Sequence, residues 1–136
     1  MSSEAQSTIL LVEDTEDNRF MMSRLLEMSG YRVVEATNGE EAVEVAKNEL
    51  PDIILMDLSL PVIDGLAATR LIRQLDECAE IPIVAVSAHD TTDFQAQALD
   101  AGCNRYITKP IDFPLLESLI SDLISQRNNP SGTNDR

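Results

Sequence analysis

Short, nearly continuous apolar runs alternate along this chain with segments whose apolar residues recur every three or four positions. Thr8–Val12 and residues 53–56 and 83–86 are runs of the first kind, rich in branched side chains. Strands buried on both faces read this way, as in a parallel sheet covered by helices. Val33 with Val34, and Tyr106 with Ile107, are shorter versions; each follows a glycine, Gly30 or Gly102, suited to ending a helix.

The intervening segments carry helical stripes. Met22, Leu25 and Leu26 form one, Val43, Ala46 and Leu50 a second, and Ala68, Leu71, Ile72 and Leu75 a third. Leu115, Leu116, Leu119, Ile120, Leu123 and Ile124 form the clearest, while residues 91–101 carry the weakest. Thr37 and Glu40 stand at capping-box spacing, and Asp112 precedes Pro114 where a last helix should begin. From Gln126 onward, polar residues with Pro130 and Gly132 predict a disordered tail. The expected organisation is one domain over residues 8–126, with flexible termini at 1–7 and 127–136.

Five strand-helix units predict a three-layer α/β sandwich with right-handed crossovers. Such sheets bind ligands beyond the carboxyl ends of their strands. The first predicted strand ends at Glu13 and Asp14, the third at Asp57, the fourth at Ser87 and the fifth at Lys109 and Pro110. A parallel sheet brings these residues to one edge, where three carboxylates repel one another unless something compensates them. A hard cation with oxygen ligands does so, and magnesium accepts a few carboxylates while keeping several waters. With a lysine and a hydroxyl added, these groups suit stabilisation of a phosphoryl group in transfer. No cysteine ends a strand, and the one histidine, His89, lies beyond the fourth. A carboxylate is therefore the leading nucleophile, and Asp57 is favoured because it ends the central strand.

Composition narrows the class. The 136 residues carry 10 basic and 24 acidic side chains, a formal charge of −14. Such a surface repels phosphate backbones, which argues against nucleic-acid binding. No apolar run reaches the roughly 20 residues of a membrane span, and no secretory signal is visible, so a cytoplasmic protein is expected. Cys78 and Cys103 lack metal-ligand spacing and read as reduced thiols.

The segments Ile9-Leu10-Leu11-Val12-Glu13-Asp14, Ile54-Leu55-Met56-Asp57-Leu58-Ser59-Leu60-Pro61, Val86-Ser87-Ala88 and Tyr106-Ile107-Thr108-Lys109-Pro110 resemble the receiver domains of response regulators. The resemblance implies a flavodoxin-like (βα)5 fold with strand order 2-1-3-4-5, an order carried over from the chemotaxis regulators of this family. It implies that Asp57 is the phosphoacceptor. Asp14 and Asp57 would ligate Mg2+ directly, the Ser59 backbone carbonyl would join them, and Glu13 would act through water; Mn2+ could stand in. Lys109 would pair with the acceptor carboxylate and then with the phosphoryl group, Ser87 would bond a phosphoryl oxygen, and Tyr106 would be the aromatic switch. Asp64 and Gly65 match the turn after the acceptor loop, and the Lys109–Pro110 bond is often cis in the family. Leu60 stands where many relatives have methionine, and Glu13 where aspartate is commoner.

The implied function is a two-component phosphorylation switch. A histidine kinase or histidine phosphotransfer protein would load it, and it would signal as a monomer by docking to a downstream target, without an output domain. A receiver fragment of a hybrid histidine kinase, or a phosphorelay intermediate, is the alternative. An aspartyl-phosphate hydrolase would need an acid two residues after the nucleophile, where Ser59 stands. An interaction module that had lost its chemistry would lack Asp57, Asp14 or Lys109. A flavin carrier would need a Ser/Thr/Gly-rich loop where Thr15-Glu16-Asp17 is acidic. Blander roles exist residue by residue: Glu13 and Asp14 as helix-start acids, Lys109 as a surface lysine, Tyr106 as strand packing, His89 as a loop histidine.

Overall fold

The structure, a computed structural model, describes residues 6–60, 64–88 and 92–128. Strands β1 (Thr8–Val12), β2 (Arg32–Ala36), β3 (Ile53–Asp57), β4 (Ile83–Ser87) and β5 (Arg105–Thr108) alternate with helices α1 (Glu16–Met28), α2 (Gly39–Glu49), α3 (Gly65–Arg73), α4 (Thr92–Ala101) and α5 (Phe113–Asn128). A 3-10 turn, Asp76–Cys78, follows α3. The strands form one parallel sheet in the order β2-β1-β3-β4-β5. This is the flavodoxin-like arrangement expected.

Because side chains alternate across a strand, the two faces of the sheet build two separate cores. Leu10, Ile54, Met56 and Ala85 pack with Ala46 of α2, Ile72 of α3 and Ala98 of α4. Ile9, Leu11, Leu55 and Val84 pack with Leu26 of α1 and with Leu116 and Ile120 of α5. All five residues of β3 and of β4 are buried, which is why these runs lack a polar alternation. Full burial of one such branched side chain stabilises the fold by about 1.5–3 kcal/mol.

Local signals set the helix ends. Gly30 and Gly102 adopt φ of 99° and 119°, a left-handed conformation that L side chains rarely take, just past α1 and α4. Asp112 starts α5, its side chain accepting from the Leu115 N–H at 3.2 Å. The cap of α2 stands one residue later than its spacing predicts. Asn38 accepts from the Glu41 N–H at 2.8 Å, and the Glu41 carboxylate reaches back to the Thr37 N–H at 2.6 Å. An asparagine caps as well as a threonine, and the extended backbone of Asn38 (φ −154°) places it at the helix entrance.

Other expectations need correction. Leu50 lies past the end of α2 as a left-handed cap (φ 47°) and is 48% exposed; Leu71 and Leu115 are also exposed although they fit their stripes. α5 runs to Asn128, beyond the predicted start of the tail, and Arg127 Nη1 donates to the carbonyls of Pro51 and Asp52. At the other end, Gln6 bonds the Gly30 carbonyl and the Ser7 carbonyl accepts from Arg32. His89 and Pro61 lie outside the described residues.

Candidate functional site

The pleat that sorts the strands into two cores continues past their ends. Leu11, Leu55 and Ile107 face α1 and α5, and Glu13, Asp57 and Lys109 follow each of them by two positions on the same side. Ala85 faces the other core, and Ser87 follows it there. One edge of the sheet thus presents a charged cluster toward α1 and α5 and a hydroxyl toward α3 and α4.

Asp57 closes β3 and is only 4% exposed. Its Oδ1 accepts from the Ser59 N–H at 2.9 Å, and its Oδ2 faces Lys109 Nζ at 3.4 Å. The same ammonium stands 3.9 Å from Glu13 Oε1. Glu13 is itself buried and held from three sides. Its Oε2 accepts from the Thr15 N–H at 3.0 Å, its own N–H donates to the Ala36 carbonyl, and its carbonyl accepts from Arg19 Nη1 at 3.0 Å. Asp14, next in the loop, is exposed.

Glu13, Asp14 and Asp57 can each offer one oxygen so that all three lie within 4.8 Å of one another. Three carboxylates against one ammonium leave an excess of negative charge, two of the carboxylates being largely removed from water. Burying unpaired like charges is costly, so the cluster is suited to a cation. Oxygens sharing an octahedral shell about 2.1 Å from a metal stand roughly 3–4 Å apart. With oxygen donors alone, the carboxylates suit a hard ion such as Mg2+.

Ser87 ends β4 fully buried, opposite Thr108, and its carbonyl accepts from the Lys109 N–H at 2.8 Å. The neighbouring strand therefore ties Lys109 directly to Ser87. Tyr106, half-buried, pairs with Ala85 and packs against the core shared with α3 and α4. The Lys109–Pro110 bond is cis. Asp64 caps α3 by accepting from the Ala67 N–H, and the Gly65 N–H reaches the carbonyl of Leu58, the residue just past β3.

The structure therefore brings Glu13, Asp14, Asp57 and Lys109 into one cluster, with Ser59 bound to it through its N–H and Ser87 at the adjoining strand end. Sequence reasoning missed an apolar cavity of about 320 Å3 beside the cluster, between α1 and α5, lined by Met21, Met22, Leu25 and Phe113 among others. No motif marks it, since its lining mixes stripe residues with exposed ones. Among the described residues, no helix is long and apolar enough to cross a membrane.

A chain with this fold and edge has many relatives. It is 38% identical over 107 residues to the polar-differentiation response regulator DivK of Brucella anthropi, an alignment covering 79% of this chain and 87% of that one. It superposes with a TM-score of 0.83 on the receiver domain of a sensor histidine kinase from Pseudomonas aeruginosa, 37% identical, covering 89% of this chain and 99% of that one. That structure holds a magnesium ion coordinated in the active-site cleft. A chemotaxis CheY protein of Vibrio cholerae, 24% identical and covering 88% of this chain and 99% of its own, shares the fold with a TM-score of 0.83. The response regulator receiver domain model matches residues 9–121, and the chain belongs to that family, the phosphoacceptor switches of two-component signalling.

Proposed function

We propose that Asp57 is the residue that accepts the phosphoryl group, with the edge residues catalysing their own loading. The observation that carries this is the cluster itself: a buried carboxylate at the end of the central strand, 3.4 Å from an ammonium and grouped with two further acids. An Asp57 oxygen attacks phosphorus, the bond from phosphorus to the donor nitrogen or oxygen breaks, and the electron pair leaves with the donor. The Ser59 N–H holds Asp57 Oδ1, which orients Oδ2 toward Lys109 before attack. Lys109 then follows the negative charge from the carboxylate to the phosphoryl oxygens, and the Ser87 hydroxyl donates to another of them. A divalent cation held by Asp14, Asp57 and the Ser59 carbonyl, with Glu13 acting through water, supplies charge neutralisation on those oxygens. Mn2+ accepts the same oxygen donors as Mg2+ and substitutes for it. Water later hydrolyses the acyl phosphate, so the protein resets itself and turns over no external substrate.

Receiver domains interact with histidine kinases or phosphotransfer proteins and with downstream targets. In our reading this one is loaded by such a histidine donor, acts as a monomer in the cytoplasm and changes its affinity for a target protein when loaded. Two buried, unbridged thiols, Cys78 and Cys103, support a reducing compartment. The acidic surface supports a protein target over a nucleic acid.

The test is labelling with acetyl phosphate and magnesium. The native protein gains a base-labile phosphoryl group, chelation suppresses it, and Asp57→Asn abolishes it. Labelling that survives Asp57→Asn unchanged would overturn the assignment.

A further inference from the structure

We infer that Arg19 is a positioning residue for the cation site, an inference that rests on Asp14 as a metal ligand. Arg19 lies in the first turn of α1, and its side chain, 17% exposed, holds two partners at once. Nη1 donates to the Glu13 carbonyl at 3.0 Å, and Nε faces Glu35 Oε1 at 3.4 Å. Glu35 is held through its other oxygen, which accepts from the Ser23 hydroxyl at 2.6 Å. Ser23 is buried in the middle of α1. A chain of contacts thus runs from α1 to the edge strand β2 and back to the loop that carries the acids.

Within that loop, Arg19 holds the carbonyl on each side of Asp14. Its side chain takes that of Glu13, and its main-chain N–H takes that of Thr15 at 2.9 Å. The Glu13 N–H is tied to the carbonyl of Ala36, the residue after Glu35, at 3.1 Å. A peptide unit is planar, so a bond to the Glu13 carbonyl fixes the direction in which the chain enters Asp14. Asp14 is exposed, so packing does not aim its carboxylate. The backbone aims it, and Arg19 holds that backbone. An acid aimed in advance loses less freedom when a cation binds, which tightens binding. The planar guanidinium suits the task because its fork bonds a carbonyl and a carboxylate together, where an ammonium is a single point. Its charge acts the other way, repelling a cation, so the sign of the effect separates positioning from charge.

The experiment measures the magnesium dissociation constant of the native protein, Arg19→Ala, Arg19→Lys and Arg73→Ala from amide resonances during titration. Arg73 is the control. It also bonds main-chain carbonyls, those of Cys78 and Gly102, but at the opposite edge of the sheet, beside the start of β4. The expected result is binding weakened about tenfold in Arg19→Ala and several-fold in Arg19→Lys, which keeps the charge without the fork. Arg73→Ala lowers the melting temperature and leaves the constant at its native value. Without magnesium, the Thr15 amide, which bonds Glu13 Oε2, exchanges faster with solvent in both Arg19 variants. Arg19→Lys alone serves if Arg19→Ala does not fold. The inference is overturned if either Arg19 variant binds magnesium at the native constant or more tightly, if Arg73→Ala weakens binding equally, or if Thr15 exchange is unchanged. A native protein that binds no magnesium is a different result, and it removes the cation reading together with this one.

Discussion

Gly65 lies so close to Asp57 that a Cβ on the glycine would sit 2.5 Å from the Asp57 carbonyl oxygen and 2.7 Å from Leu58 Cα. The first turn of α3 is therefore seated on the backbone of Asp57 and Leu58, and these contacts are main-chain atoms that cannot swing aside. Gly65→Ala gains about 1 kcal/mol of helix propensity but forces that backbone apart, at about 1–3 kcal/mol. We expect a lower melting temperature and slower labelling of Asp57 together. Gly30→Ala is the control, since its Cβ meets nothing within 4 Å and only the positive φ is strained. It should lower the melting temperature and leave labelling alone. A Gly65→Ala protein that labels at the native rate would show that α3 does not position the acceptor.

Metal binding should appear as stability. A ligand present at ten times its dissociation constant stabilises the folded state by about 1.4 kcal/mol, so millimolar magnesium should raise the melting temperature by a few degrees. Asp14 is exposed and offers an oxygen to the cluster without supporting the core, so Asp14→Ala tests its ligand role cleanly. The variant should lose the magnesium-dependent shift, and its metal-free form should melt no lower than the native protein because like-charge repulsion is relieved. Equal magnesium shifts in the two proteins would remove Asp14 from the ligand set.

Much of this arrangement is legible in the chain because parallel strands impose their own logic. A residue ending each apolar run must arrive at one edge, so Glu13, Asp57, Ser87 and Lys109 converge without any knowledge of distances. Periodicity is blinder at helix margins. Leu71 and Leu115 fit their stripes yet face water, because a run of three- and four-residue steps spans a wider arc than the sheet can cover. Leu50 continues the α2 pattern one position past the point where the backbone turns left-handed. The cavity is invisible in the sequence for a related reason. Periodicity shows which way Met22 and Leu25 point, but not that α1 and α5 stand apart above Leu11 and Leu55.

The buried thiols predict how stability responds to alkali. Burial raises the pKa of Cys103, opposed by the Thr69 hydroxyl and by Arg73, and burial also raises that of Cys78, helped by Glu77. The ordinary thiol value is 9.0, and in the unfolded chain both ionise there. Their contribution is therefore whole below about pH 9 and declines as pH rises from there through the folded values, by at most about 1.4 kcal/mol per pH unit for each thiol. Tyr31, whose pKa burial and then Glu117 also raise, extends the loss to higher pH. Urea unfolding between pH 8 and pH 11 should show a shallower alkaline decline for the Cys78→Ala, Cys103→Ala double variant. An identical slope in the two proteins would mean that the thiols do not stay neutral in the fold.

We expect the state of Asp57 to reach a partner through the neighbouring strands β4 and β5. Ser87 pairs with Thr108 and Ala85 with Tyr106, so the hydroxyl and the tyrosine lie on one face of the sheet, one pleat step apart. That face is the one α3 and α4 cover, whereas Asp57 and Lys109 belong to the opposite side. On the proposed function, a phosphoryl group on Asp57 should draw the Ser87 hydroxyl toward it as a hydrogen-bond donor. Tyr106, half-buried beside Ala85, is the large side chain next to the position the hydroxyl would leave. If Tyr106 turns inward, the surface formed by α4, β5 and α5 should change shape, and a partner that prefers the new shape would shift the equilibrium further. The chain has no tryptophan and 2 tyrosines, so Tyr31→Phe leaves Tyr106 as the single tyrosine to observe. On adding beryllofluoride and magnesium, its ring resonances should move and lose solvent contact, and Ser87→Ala should suppress the movement without preventing the mimic from binding. If the ring stays in place while the mimic is bound at Asp57, the signal leaves the site by another route, and the turn at Asp64 and Gly65 becomes the segment to follow.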